Sequence, residues 1–388
     1  TVPVRQSPGG ESLLAPPSSD RHYALSAKDP DGGPPAVLPL QARASVPELA
    51  EGGAIPDRHP FLLYSAAQID RARQRAAQDP TCAKVIESLR QQAEGSIKTP
   101  VPIPQEASDD HSKHASALQR VALTYAITGE ERYAKWVRDA IVGYADLYPK
   151  LPVRSNGRTR IIGTASGLYE AVWYQPVLLA FDLTASSPAY SEADHRHVRQ
   201  DLLRLAAERF WVRDYGDTSD GRPGDLHYKC YNFQAWFISC VGLTGLVLSD
   251  PDMVEYALDG PYGLKHLLGH DVRDDGLFWE RSLGYHSFVL TALYPFLEAA
   301  YHCNFDLYSL SVPDADDVDL EPLLNYAVND GDNGPKSLRM MFDAPFYAVF
   351  GDMTYANVAD SNPGPLQAAS AASVSAINPA RSARILSL

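Results

Sequence analysis

One segment of the sequence concentrates acid–base side chains beside two glycines. It extends from Asp274 to His286 and reads Asp-Asp-Gly-Leu-Phe-Trp-Glu-Arg-Ser-Leu-Gly-Tyr-His. The Asp-Gly step predicts a tight turn, and the polar groups that follow crowd a short, irregular entry to a helix. This density of titratable groups favours a functional site over the alternative, a salt-bridged loop. The candidate site residues of this segment are Glu280, Arg281, Tyr285 and His286.

A second segment places amide side chains at the start of a very apolar helix. It extends from His227 to Trp236. Asn232 and Trp236 are four residues apart, so they share one helix face. Buried amides require hydrogen-bonding partners, so their placement here must be compensated. A functional site is one interpretation and an N-terminal capping cluster is the other. The candidate site residues are His227, Asn232, Gln234 and Trp236.

Two histidines, His111 and His114, follow a pair of aspartates at the start of a predicted helix. At this spacing they could chelate zinc together with a third ligand. The sequence supplies no third ligand at a fixed spacing, so no metal site is predicted. The two histidines either line a substrate site or lie exposed beside aspartates that cap the helix.

The loop from Arg154 to Arg160 carries three arginines in seven residues. The whole chain has a formal net charge of −14, so these arginines form a local positive patch. Guanidinium groups could bind a carboxylate or a sulfate through paired hydrogen bonds, and Arg158 is the candidate binding residue. A solvated loop is the alternative interpretation.

Charge and missing motifs exclude several functional classes. The chain has 388 residues and a formal net charge of −14, so neither nucleic acid nor an anionic membrane surface is an expected partner. No stretch approaches the ~20 uninterrupted apolar residues of a membrane-spanning helix. The sequence contains no phosphate-binding loop, dinucleotide fingerprint, nucleophile elbow or zinc-protease motif, so no cofactor is predicted. The four cysteines form no Cys-x-x-Cys pair and are predicted to be mainly free thiols.

The elements that must position these groups are helices in series. Residues 1–60 are rich in Pro, Gly and Ser and predict an irregular arm, whereas the alternation typical of strands is nearly absent before residue 340. Short loops are typical of antiparallel helical hairpins, and the lack of a strict repeat favours a closed ring of hairpins over a solenoid. The predicted helices cover 65–92, 108–126, 130–147, 166–183, 191–211, 228–248, 253–267 and 285–303.

In this order and on this helical background, the segments resemble the alginate lyase and heparinase II/III-like polysaccharide lyases. The resemblance implies an all-α fold, an incomplete (α/α)6 toroid over residues 61–365, with residues 366–388 leading to a missing C-terminal region of the same protein. It also implies a secreted or periplasmic enzyme that cleaves an acidic, uronate-containing polysaccharide by β-elimination. The segments that carry the resemblance are Tyr125–Tyr133, Trp173–Thr184, Asn232–Trp236, Gly245–Asp250, Asp275–His286 and Phe350–Ser361.

The resemblance also implies residue roles. In β-elimination a base removes the C5 proton of a uronate, which requires that the neighbouring carboxylate be neutralised. By analogy, Asn232 neutralises the carboxylate, with help from Gln234, and Tyr285 is the base. Free tyrosine titrates near pH ~10. Positive neighbours must therefore help Tyr285 to ionise, and the candidates are Arg281, His286 and an arginine of the 154–160 loop.

One position departs from the family pattern. Several members carry a histidine directly after the neutralising asparagine, and this chain has Phe233 there. A histidine for neutralisation or proton transfer must then come from elsewhere. The candidates are His227, His111 and His114.

Two other functions remain open on the sequence. A glycoside hydrolase on the same toroid would use two carboxylates as acid and base; the candidates are Asp225, Asp275 and Glu280. A non-catalytic carbohydrate-binding protein or inactive fragment would keep an aromatic cleft for stacking; the candidates are Trp173, Trp236 and Trp279.

Overall fold

The structure is a computed structural model, and helices dominate the part of the chain that it describes. The described residues are 55–56, 58–98, 103–153, 159–163, 167–211, 232–260, 262–280, 282–313 and 334–348. The helices are α1 (Ala66–Gln78), α2 (Pro80–Lys98), α3 (Asp110–Thr128), α4 (Glu131–Leu147), α5 (Gly167–Thr184), α6 (Glu192–His197), α7 (Leu205–Trp211), α8 (Asn232–Leu248), α9 (Pro251–Asp259), α10 (Leu264–Asp271), α11 (Leu283–His302) and α12 (Leu338–Tyr347). A π-helical turn, Val198–Arg204, joins α6 to α7, and 3-10 turns lie at Tyr148–Lys150 and Leu307–Ser309. Strands β1 (Ser311–Val312) and β2 (Lys336–Ser337) pair antiparallel.

Two predicted helices are each divided in the structure. The helix predicted over 65–92 breaks at Asp79, whose backbone is extended because Pro80 follows it. Ser65 does begin α1, through a capping box with Gln68. The helix predicted over 253–267 also breaks, between Gly260 and Gly263. The prediction of one continuous helix was wrong there because it passed over a turn sequence, Asp-Gly-Pro-Tyr-Gly at residues 259–263.

The core is built around helices that are buried on nearly every side. α5 packs against α3 and α8, and α8 packs in turn against α9 and α11. Such helices carry apolar residues around their whole circumference. Their few internal polar groups bind one another, since an unpaired buried amide is costly. The amide nitrogen of Gln175 on α5 donates to Ser239 Oγ on α8 (2.9 Å) and to the carbonyl of Ala292 on α11 (3.0 Å).

The described part of the N-terminal region is anchored to the end of α5. The buried carboxylate of Asp182 accepts hydrogen bonds from the backbone N–H groups of Phe61 and Leu62, at 3.2 and 3.0 Å. His59 Nδ1 lies 2.6 Å from the same carboxylate. The arm predicted for residues 1–60 lies almost entirely outside the described residues. The short stretch that is described is also held by Ser186 Oγ, which donates to the carbonyl of His59 (2.9 Å).

A tight hairpin between α10 and α11 carries the acid–base segment. Val272 and Phe278 form an antiparallel bridge, and the backbone N–H of Trp279 donates to the carbonyl of Asp271 (2.9 Å). Gly276 lies at the turn with φ +80°, a region that L side chains adopt with strain. The predicted Asp-Gly turn is therefore confirmed, and it fixes where the residues after Trp279 begin.

Substituting Gly276 with Ala should lower the free energy of unfolding by about 1–3 kcal/mol, the usual cost of a non-glycine residue forced into this region. A Cβ atom there would also lie 2.5 Å from the carbonyl oxygen of Met340. Urea unfolding measures the difference. Gly95→Ala on α2 is the matched control, because a Cβ atom there meets nothing within 4 Å and alanine favours helix. Equal stability of Gly276→Ala and the wild type would contradict the strained turn.

None of the described helices is long and apolar enough to cross a bilayer. Cys82, Cys240 and Cys303 are free thiols, as the sequence predicted; Cys230 lies outside the described residues.

Candidate active site

The first turn of α8 and the hairpin loop meet through a carboxylate and an amide. Glu280 Oε2 accepts a hydrogen bond from the backbone N–H of Asn232 (3.2 Å). The side-chain Nδ2 of Asn232 lies 3.2 Å from Oε1 and 3.0 Å from Oε2 of the same carboxylate. An anion is stabilised at a helix N-terminus by the unpaired N–H groups and the helix dipole. Glu280 therefore holds both the backbone and the side chain of Asn232.

The next turn of α8 joins the same region. The ring of Trp236 packs against Phe288 on α11, with ring centroids 5.0 Å apart. Trp236 Nε1 and Asn232 Oδ1 are both buried and have no hydrogen-bond partner among the described residues. Leaving such groups unpaired costs roughly 1–3 kcal/mol each. We call Asn232, Trp236, Glu280 and Phe288 the Asn232 cluster, and we include Tyr285 because it lies one turn before Phe288 in α11.

Tyr285 is the exposed member of the Asn232 cluster. It lies in the first turn of α11, and its backbone N–H donates to Ser282 Oγ (3.3 Å), which caps the helix. Its exposed fraction is 38%, whereas Asn232 is 3% exposed. Phe288 follows Tyr285 by three residues, so the two side chains share a face of α11. The phenol is therefore the most exposed group of this cluster.

Gln234 is placed differently from Asn232. It is buried, and its amide nitrogen donates to the carbonyl of Tyr262 (2.5 Å), which ties α8 to the turn between α9 and α10. The structure therefore gives Gln234 a bracing role, and the prediction that it contacts substrate is not supported.

His286 corrects another prediction. It is fully buried, its Nδ1 accepts a hydrogen bond from the backbone N–H of Phe278 (3.0 Å), and its Nε2 donates to the carbonyl of Met341 (2.8 Å). Burial lowers the pKa of His286 to about 4. A neutral ring with both nitrogens occupied can neither bind substrate nor supply positive charge to Tyr285. Instead it joins the hairpin, α11 and α12.

His111, His114 and Trp173, all predicted to bind substrate, lie in an aromatic core. His111 accepts from the hydroxyl of Tyr144 (3.2 Å) and donates to the carbonyl of Glu106 (3.0 Å). His114 stacks on Trp136, and burial lowers its pKa to about 4. Trp173 has no exposed surface. These side chains cannot touch a substrate in this structure, because surrounding aromatic rings cover them.

A non-catalytic carbohydrate-binding protein was expected to expose an aromatic cleft of three tryptophans. The structure does not expose these three side chains. Trp173, Trp236 and Trp279 are 0%, 5% and 3% exposed. A sugar ring stacks on an open aromatic face, and none of these three indoles offers one. Their burial disfavours a module that binds carbohydrate through this set.

Sequence reasoning missed Glu170, which organises the arginine loop. Its buried carboxylate accepts from the backbone N–H groups of Arg160, Ile161 and Ile162, at 3.1 to 3.3 Å, and from the hydroxyl of Tyr148 (2.9 Å). Burial raises the pKa of Glu170, while these donors oppose the rise. An acid inside an otherwise apolar helix was the available signal. Glu170 thus fixes the backbone of residues 160–162.

Several predicted site residues lie outside the described residues. They are His227, Arg281, Arg158 and, for the hydrolase alternative, Asp225. Among the residues that are described, no three histidine, cysteine, aspartate or glutamate side chains are grouped so that they could hold a metal ion.

The helices define an all-α fold, and the comparison with known proteins identifies its family. A solved alginate lyase from Bacteroides ovatus matches with a TM-score of 0.52 and 14% identity, over 74% of this chain and 90% of that one. This match and the helical architecture confirm the predicted (α/α) toroid. Residues 65–338 match the sequence model of the alginate lyase family. The chain belongs to that family.

Two curated relatives are similar over part of their length. An alginate lyase of Stenotrophomonas maltophilia is 29% identical over 236 residues, which are 58% of this chain and 30% of the relative. An exo-oligoalginate lyase of Saccharophagus degradans is 26% identical over 175 residues, 43% of this chain and 22% of the relative. The chain thus spans less than a third of the length of either relative.

Proposed function

We propose that this chain is a polysaccharide lyase that cleaves a uronic-acid polymer by β-elimination, with Tyr285 as the base and Asn232 neutralising the uronate carboxylate. The observation that supports it most is the packing of two helix starts, one bearing a buried amide that Glu280 holds through Nδ2 and the other an exposed phenol. Family membership adds support, because both curated relatives are named for the cleavage of alginate or its oligomers.

The proposed reaction transfers the C5 proton to the leaving oxygen and breaks the bond between C4 and that oxygen. The phenolate of Tyr285 removes the C5 proton, the electron pair forms the C4–C5 double bond, and the bond from C4 to the leaving oxygen breaks. The phenol then returns a proton to that oxygen. Charge that develops on the carboxylate is stabilised by donors aimed at it. Nδ2 of Asn232 carries two hydrogens, and Glu280 can be served by one of them.

A nearby cation is also required by this arrangement. The uronate carboxylate that binds beside Asn232 is an anion, and its charge must be compensated before the C5 proton can leave. An arginine that contacts the uronate would supply that compensation. We propose Arg281 and Arg158 for that contact, and His227 for proton transfer.

Alginate is the substrate to test first, because the relatives' names specify it. We further propose that the protein acts outside the cytoplasm, where such polymers occur, and that a C-terminal region of the same protein completes the substrate cleft.

The test is a time course of ultraviolet absorbance with a panel of uronate polymers. Elimination leaves a double bond conjugated to the carboxylate, so absorbance rises as chains are cut. We expect a rise with alginate. A flat trace accompanied by new reducing ends would instead indicate a hydrolase, and a flat trace with no cleavage would reject the proposal for this chain.

A further inference from the structure

We propose that Glu280 is a positioning residue that fixes the orientation of the Asn232 amide, rather than a residue that binds substrate. This inference rests on the proposed function and assigns one part of that site. The geometry that carries it is the set of contacts from Nδ2 and the backbone N–H of Asn232 to the two oxygens of one carboxylate.

An asparagine amide has two orientations of similar shape and opposite polarity. With Nδ2 toward Glu280, the contact is a hydrogen bond to a charged acceptor. The flipped amide would direct Oδ1 at the carboxylate and place two acceptors in contact. Hydrogen bonds to charged groups contribute roughly twice as much as neutral ones, so the flipped state is strongly disfavoured. Glu280 therefore decides which atom Asn232 presents.

The orientation leaves defined groups uncommitted. Oδ1 of Asn232 has no partner in the described part of the chain, and one hydrogen of Nδ2 remains available. The remaining Nδ2 hydrogen is the donor that a uronate carboxylate requires, whereas Oδ1 is an acceptor. Rotation of an unanchored amide would move that hydrogen or put Oδ1 in its place. The contact with Glu280 therefore holds the second hydrogen of Nδ2 in one position.

Both the backbone and the carboxylate of Glu280 are held in place. The hairpin before it is closed by the Val272–Phe278 bridge and by the hydrogen bond from Trp279 to Asp271. The carboxylate lies at the N-terminus of α8, where negative charge is stabilised. Both of its oxygens face Asn232 at 3.0 to 3.2 Å. A carboxylate committed in this way is suited to orienting its partner.

A double-mutant cycle tests the proposal, with binding of an alginate tetrasaccharide measured by calorimetry on proteins that all carry Tyr285→Phe, so that the ligand is bound without being cleaved. In that reference protein Glu280→Ala should weaken binding about 10-fold, and it should have no further effect when Asn232→Ala is also present, because its influence passes through that amide. Glu280→Gln keeps a neutral acceptor for Nδ2 and should bind within about threefold of the reference protein. In the chain that keeps Tyr285, the kcat of Glu280→Ala should fall as well, and Glu280→Gln should restore it.

Equal losses from Glu280→Ala in both backgrounds would overturn the proposal, since they would mean that Glu280 acts on the substrate itself. So would failure of Glu280→Gln to recover affinity while its urea unfolding matches wild type. Absence of tetrasaccharide binding to the reference protein would also overturn it. Binding to the reference protein without a rise in ultraviolet absorbance from the wild type would reject the lyase but not the positioning role, because the cycle is measured by affinity.

Discussion

Tyr285→Phe is expected to lower kcat on alginate by about 10²- to 10⁴-fold, the range over which a positioned acid or base contributes. The substitution removes one oxygen from an exposed side chain in the first turn of α11. The capping hydrogen bond to Ser282 uses the backbone N–H and survives. Substrate affinity should therefore change little, so the loss should appear in kcat rather than in KM.

Tyr301→Phe is the matched control for this experiment. Tyr301 lies near the opposite end of the same helix and is 40% exposed, close to the value for Tyr285. Its kcat should equal that of the wild type. Retention of more than about a tenth of wild-type kcat by Tyr285→Phe would remove Tyr285 from the role of base.

His286→Ala is expected to lower the free energy of unfolding by about 4 kcal/mol. The ring satisfies the N–H of Phe278 and the carbonyl of Met341, and each buried group left unpaired costs roughly 1–3 kcal/mol. The side chain also fills a fully buried space, so its removal leaves a cavity. Urea unfolding at pH 7 measures the loss.

The loss of stability in His286→Ala should also depend on pH. The folded-state pKa of His286, about 4, lies below the ordinary value of ~6.5, so the unfolded chain takes up a proton first as the pH falls. The stabilisation that the buried, neutral His286 provides is fully present above pH ~6.5 and is lost as the pH falls toward ~4. The difference between wild type and His286→Ala should therefore shrink by about 2 kcal/mol between pH ~7 and ~5.

The half-buried His195 on α6 provides the control for His286. Its ring contacts Phe181 and Tyr190, and His195→Ala should cost only about 1 kcal/mol, as is common for substitutions outside such networks. A loss of less than about 1 kcal/mol in His286→Ala, or a difference from wild type that does not depend on pH, would contradict the bracing role.

The helical spacing of apolar residues predicted most of the fold. The apolar faces of α3, α4 and α11 follow from spacing, and Ser65 and Gly129 mark helix ends by ordinary capping chemistry. The divided helices were missed because the predicted ranges passed over the helix-breaking residues Pro80 and Gly260.

The candidate site was predictable in part, for a definite physical reason. Spacing along one helix placed Asn232 and Trp236 on a shared face, and the Asp-Gly turn located the loop that carries Glu280. Burial depends on tertiary packing, so sequence alone could not distinguish the internal His286 and Trp173 from residues that line a cleft. The hydrogen bond that Asn232 donates to Glu280 joins positions 48 residues apart, so no local sequence pattern predicts it.

The most direct test of the central claim is the mass of the products from a defined alginate oligomer. β-Elimination divides the substrate without adding water, so the masses of the two products should together equal that of the substrate, and the one carrying the new nonreducing end should contain the double bond. Products that together exceed the substrate by one water would mean hydrolysis, and would contradict the assignment of Tyr285 and Asn232 to an eliminating site.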